Sequence, residues 1–228
     1  MPKAIKVAGA EVNVSGPTAQ TVDSRDQLSH AMPIVFGFVL MLAFLLLLVT
    51  FRSIVVPIKA IVLNLLSVGA AYGVLTFVFQ QGHFEGLLGF HSNGGVATWL
   101  PLFMFVVLFG LSMDYHVFIL SRVREAVDRG MRTDDAVAYG IKSTASVVTS
   151  AAFVMVAVFA VFATLQIIDF KELGVGLAVA VLIDATIVRA VLLPASMKLL
   201  GEHNWYLPRS LNWLPKVKLE GEVEPAKA

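Results

Sequence analysis

No cysteine occurs in the 228 residues, which excludes disulfides, thiolate chemistry and cysteine-based metal sites and leaves the redox compartment open. Charge is scarce as well. Asp, Glu, Lys and Arg make up 14% of the chain against 57% hydrophobic residues, and the mean hydropathy is +0.81. Soluble domains carry about a quarter of their residues charged, so this composition excludes one and points to an integral membrane protein. A net charge of +1 provides no basic surface, and no nucleic-acid partner is expected. The two-residue alternation of a barrel wall is missing too. Each apolar run is about twice the length of a barrel strand, so the expected fold is an all-α membrane bundle.

Five apolar runs are present, near 31–51, 55–80, 98–120, 144–165 and 173–197. Each has the roughly 20 residues needed to cross about 30 Å of hydrocarbon. Residues 52–54 leave room only for a tight turn, so the first two runs form a helical hairpin. Pro57 falls in the first turn of its second arm, where a missing N–H costs little. Lys and Arg set the orientation. Arg122, Arg124, Arg129, Arg132 and Lys142 lie between the third and fourth runs, and Lys198, Arg209, Lys216 and Lys218 follow the fifth. Residues 81–97 hold no Lys or Arg, and 166–172 hold only Lys171. The basic regions are therefore expected in the cytoplasm. Counting back through five spans puts residues 1–30 outside as an extracytoplasmic remnant, 31–197 in the membrane and 198–228 in a cytoplasmic tail. Residues 1–30 carry no signal peptide, so an upstream portion of a larger membrane protein is expected.

The polar connections read as short structured pieces. SRVREAVDRG continues the third span until Gly130, and Thr133 is the expected N-cap of a helix with Asp134 and Asp135 in its first turn. The outer loop QQGHFEGLLGFHSNGGVATWL is glycine-rich and expected to be flexible and solvated. Its His83 and His91 are too sparse to indicate a metal. Trp99, Trp205, Tyr206 and Trp213 suit an aromatic belt. In NWYLPRSLNWLP two prolines prevent a long helix, so a segment lying at the membrane surface is expected, followed by a disordered end at 217–228.

Within FGLSMDYHVFILSR, Asp114 lies eight residues before Arg122, about 12 Å along a helix. Its one-carbon stem cannot reach the surface. Facing lipid in ionised form it would cost roughly 3 kcal/mol or more, so it is expected to face protein or water and to mark an ion or proton pathway, unless it simply bonds a neighbouring helix. Arg189, Thr149 and Ser150 fall at a similar depth and are candidate partners in one polar layer. Arg189 alternatively extends its stem to the cytoplasmic surface, and Thr149 and Ser150 alternatively only permit close helix packing. Asp184 is deeper. At five residues from Arg189 it points about 140° away on an α-helix, so the two are not expected to pair. Tyr115 can hydrogen-bond across an interface beside Asp114, and His116 is read as packing ahead of proton transfer.

GLSMDYHVFILSRVREA, GIKSTASVVTSAA and VLIDATIVRAVLLPA resemble the MMPL family (mycobacterial membrane protein large) of the resistance–nodulation–division superfamily. SGPTAQTVD, FRSIVVPIKAIVLNLLSVGAAYG and NWYLPRSLNWLP extend the resemblance over nearly the whole chain. It implies a twelve-span, proton-driven exporter of lipids or other hydrophobic molecules in a bacterial cytoplasmic membrane, with the five spans here as helices eight to twelve. It further implies that Asp114 and Tyr115 form the second-half proton relay, which needs a matching pair from a first half as partner. No catalytic residue, metal or cofactor is implied, and there is no nucleotide-binding loop, as suits an ion-driven machine. A non-transporting remnant, a membrane assembly factor and a sterol-sensing-like module are the alternatives.

Overall fold

The computed structural model describes residues 16–211 and 213–214. The expectations for residues 1–15 and 217–228 lie outside the described residues. Helices dominate, and no strand occurs among the described residues. The helices are α1 (Pro17–Phe51), α2 (Val55–Leu75), the short α3 (Glu85–Leu88), α4 (Leu100–Asp128), α5 (Thr133–Phe162), α6 (Ile168–Ile183) and α7 (Leu193–Leu200). Two π-helical stretches interrupt the ladder, Thr76–Gln80 after α2 and Asp184–Leu192 between α6 and α7. Five of the resulting rods are long and apolar enough to cross a membrane. The tight turn after α1 is made by Arg52 in the left-handed region, and α1 begins at Pro17, well ahead of the apolar run.

The spans pack as neighbours in the order α1 on α2, α2 on α4 and α6, and α4 on α5, with α5 also on α6. Lipid is as apolar as leucine, so the helices gain little from hiding apolar area and must gain from close fit. Gly174 shows how close. A Cβ there would lie 2.6 Å from Phe159 O and 2.8 Å from Ala163 N, so the start of α6 touches the backbone at the end of α5. Large apolar side chains such as Ile34, Phe38, Phe153 and Val158 stay exposed on α1 and α5, as a bundle in hydrocarbon allows.

The two ends of the bundle are tied differently. At the end away from the basic loops, the connection expected to be flexible is held at two points. Lys171 Nζ donates to Leu88 O and Gly89 O at the end of α3, and Ala97 N donates to Glu172 Oε2 at 3.0 Å. At the basic end the chain after α7 turns through short 3₁₀ pieces, Gly201–Trp205 and Arg209–Leu211. Buried Asn204 is the centre of this clasp. Its Nδ2 donates to Met197 O and Gly201 O, its Oδ1 accepts from Lys59 Nζ at 2.9 Å, and its carbonyl accepts from Ser53 Oγ at 2.6 Å. Ile54 N donates to Tyr206 O, and the Arg124 guanidinium lies over the Trp205 ring. Thr133 does not act as the expected N-cap. Its hydroxyl donates to Glu202 Oε1 at 2.5 Å, while Asp134 and Asp135 occupy the first turn of α5.

Candidate functional site

The π stretch changes which residues of the last span share a face. In an α-helix, residues five apart diverge by about 140°, but i→i+5 closure stacks them one above the other. Leu193 N bonds to Val188 O in this register, and within the same stretch Asp184 and Arg189 form a buried ion pair through Oδ2 and Nη2. The expectation that these two would not pair is therefore overturned, and so is the snorkelling alternative for Arg189. Pro194 is the nearest sequence signal for the change. It has no N–H to give to Ala190 O, which loosens the α-type ladder just beyond the pair.

Arg189 then joins three helices. Its Nη2 also donates to Ser112 O at 3.3 Å and Ser112 Oγ at 3.2 Å on α4, and its guanidinium lies 4.4 Å from the centre of the Tyr115 ring. Ser112 Oγ in turn donates to Asn64 Oδ1 on α2 at 2.6 Å. Tyr115 Oη reaches Met155 Sδ on α5 at 3.9 Å. A cavity of about 20 Å³ adjoins this cluster, lined on its polar side by Asn64, Ser67, Ser112, Tyr115, Asp184 and Arg189. That is room for one water molecule. On three of the residues that line it, Asn64 Nδ2, Asp184 Oδ1 and Arg189 Nε are buried and have no hydrogen-bond partner among the described residues.

Not all of the expected layer is in the cluster. Asp114 is exposed on the opposite side of α4, in a stripe with Phe103, Val106 and Gly110, and has no hydrogen bond or ion pair among the described residues. Thr149 and Ser150 are exposed on α5, and Ser150 Oγ donates to Ser146 O of its own helix. The single layer expected from depth is thus split. Arg189 and Asp184 are inside, Asp114, Thr149 and Ser150 are on outer faces, and half-buried Tyr115 touches the inner group from the residue next to Asp114. Equal depth fixes height along the helices and says nothing of direction around them. Asn64 and Ser112 were missed by the sequence reading, although an asparagine inside IVLNLLSVG is a signal, since an amide in a span needs a partner. Among the described residues, no group of three or more His, Asp or Glu could hold a metal.

Comparison with known proteins gives this arrangement its context. The chain is 45% identical over 220 residues to the mycolic acid-containing lipids exporter MmpL11 of Mycolicibacterium smegmatis, covering 96% of this chain and 23% of that protein. It is 45% identical over 217 residues to the heme uptake protein MmpL11 of Mycobacterium tuberculosis, covering 94% of this chain and 22% of that one. It is 37% identical over 219 residues to the trehalose monomycolate exporter MmpL3 of M. smegmatis, covering 95% and 21%. The chain therefore spans less than a quarter of the length of these relatives. The MMPL family model matches residues 2–218, from before α1 to beyond the clasp, and the chain belongs to the MMPL family.

Proposed function

We propose that these residues form the second-half membrane domain of a proton-driven exporter of lipids or other hydrophobic molecules, with Asp114 as its proton-binding group. The observation that carries the reading is the juxtaposition on α4. Asp114 lies on an outer face without a partner among the described residues, and its neighbour Tyr115 stacks on the guanidinium of a buried ion pair. A carboxylate on an apolar stripe costs roughly 3 kcal/mol or more in hydrocarbon, so in the membrane this stripe faces protein or water. Gly110, with open space where a Cβ would stand, lets a further helix approach beside Asp114. In this reading that helix comes from a first half, in the same polypeptide or as a separate transporter subunit, which also supplies most of the substrate route. The basic end is cytoplasmic and α1 starts outside, because Arg122 to Lys142 sit at that end.

Protonation of Asp114 removes a charge from the interface and weakens its hold on cationic or hydroxyl partners there. Tyr115 passes the rearrangement inward, because movement of its ring changes what lies against Arg189. A proton crossing 100 mV releases about 2.3 kcal/mol, enough to shift a two-state equilibrium about fifty-fold. The relatives' names include both lipid export and heme uptake, so the cargo class supported is hydrophobic or amphiphilic molecules in general. The test is Asp114→Asn in a complete transporter carrying this half, since asparagine keeps size and hydrogen bonding but cannot ionise. Gradient-dependent export is expected to fall to background at normal protein levels; export that still follows the proton gradient refutes the assignment.

A further inference from the structure

Ser112 behaves unlike most hydroxyl residues of the spans. Ser121, Ser143, Thr144, Ser150, Thr186 and Ser196 each donate to a carbonyl three or four residues back along their own span. That is the usual place for a serine or threonine hydrogen inside a helix. Ser112 Oγ instead donates across to Asn64 Oδ1 on α2, at 2.6 Å, and both side chains are buried.

The direction of that bond decides what Ser112 can do next. A hydroxyl has one hydrogen and two lone pairs, and a guanidinium only donates, so Arg189 cannot take the hydrogen. Among the described residues, Asn64 Oδ1 is the acceptor that takes it. With its hydrogen turned to α2, the Ser112 oxygen accepts from Arg189 Nη2 at 3.2 Å, beside Ser112 O at 3.3 Å. These two acceptors bring the guanidinium onto α4 while Asp184 Oδ2 holds it from its own span, and it rests 4.4 Å from the centre of the Tyr115 ring. Asn64 has no hydrogen bond to Arg189 or Tyr115 among the described residues, so any influence on them runs through Ser112.

We propose that Asn64 is a positioning residue of the coupling path, making Ser112 the acceptor that holds Arg189 against Tyr115. This rests on the proton-driven reading above, in which Tyr115 carries the response to Asp114 inward, and it names the residue of α2 that sets the inner end. Without the amide, the Ser112 hydrogen returns to Leu108 O, four residues back on α4, as in the other serines. The side chain changes rotamer with it, and the oxygen turns away from Arg189. Arg189 then keeps Asp184 and Ser112 O but rests less closely on Tyr115. Tyr72 provides the contrast. Its Oη donates to Pro101 O, so it also ties α2 to α4, but about 12 Å along α2 from Asn64 and away from Arg189.

The experiment uses a complete transporter carrying this half, with a ring-fluorinated tyrosine in place of Tyr115, whose fluorine resonance responds to a cation over the ring. Arg189→Gln marks the resonance without the guanidinium. Asn64→Leu and Ser112→Ala are each expected to move the parent resonance about half way or more toward that mark, and the double variant no further than the singles. Asn64→Ala takes the place of the leucine variant if that one does not fold. Tyr72→Phe, which loses a tie between the same two helices, is expected to lower the unfolding midpoint and leave the resonance in place. Cells fed radioactive acetate report gradient-dependent lipid export, expected to fall about fivefold in the Asn64 and Ser112 variants, the weight of one hydrogen bond. A resonance that stays at the parent position in the Asn64 variants, or moves additively in the double variant, overturns the inference. So does a moved resonance with export at the parent level, since the path would then not need the placement. Asp114→Asn is measured alongside. If it still exports with the gradient, the proton-driven reading fails on its own result and takes the coupling role of Asn64 with it.

Discussion

Neutralising Asp184 leaves the Arg189 guanidinium buried without its counter-ion, and the size of the loss can be worked from the contacts. Removing one partner of a buried ion pair costs about 3–5 kcal/mol. Arg189 would retain Ser112 O, Ser112 Oγ and the Tyr115 ring, which puts Asp184→Asn at the lower end, about 3 kcal/mol. Arg189→Gln strands a carboxylate whose Oδ1 has no other partner, but a carboxyl group can neutralise itself by taking a proton whereas a guanidinium cannot lose one. Its cost should therefore be smaller. The double variant removes both charges and should cost clearly less than the sum, with a coupling of about 2 kcal/mol. At about 2–4 °C per kcal/mol, Asp184→Asn should lower the unfolding midpoint by roughly 6–12 °C. Intrinsic tryptophan fluorescence during heating of the purified complete transporter reads this. Additive single and double variants would show that the two groups are not one energetic unit, and the π-helical pairing would lose its significance.

Two further outcomes are expected. Gly174→Ala forces a Cβ against Phe159 O and Ala163 N, neither of which can swing aside, and should destabilise by about 1–3 kcal/mol; an unchanged unfolding midpoint would contradict the packing of α5 on α6. An accessibility tag at residue 130 should be reached only from the cytoplasm and one at residue 88 only from outside, and labelling of both from one side would refute the span count.

That the chain forms five membrane-length helices was legible because apolar runs are properties of segments. The directions in which side chains point were not. In a soluble helix the apolar stripe marks the inner face, but here Phe153 and Val158 outside are as apolar as Phe105 and Leu108 inside, so periodicity carries no inward arrow. Asp114 could be recognised by residue type and depth, yet its outward aspect followed only from packing. Asp184 and Arg189 were separated on paper by the α-helical angle, and nothing in DATIVR announces an i→i+5 register. Asn64 and Ser112 lay within reach of the argument that a polar group in a span requires a partner. The loop at 81–99 looked free because glycine suggests freedom, whereas Lys171 and Glu172, on a different segment, supply the anchors.

The clasp at Asn204 has a consequence for how the chain comes together in time. Ser53 and Asn204 are 151 residues apart, so the hairpin of α1 and α2 can enter the membrane long before the residue that fastens it has been synthesised. At 5–20 residues per second the interval is about 8–30 s. Throughout that period Lys59 lacks the amide that will hold its ammonium, and Ile54 N lacks the Tyr206 carbonyl to which it will donate. Insertion and locking are thus separate events. The nascent bundle remains open to rearrangement, and to recognition by membrane quality control, until its last helix and the short turn behind it have emerged from the ribosome.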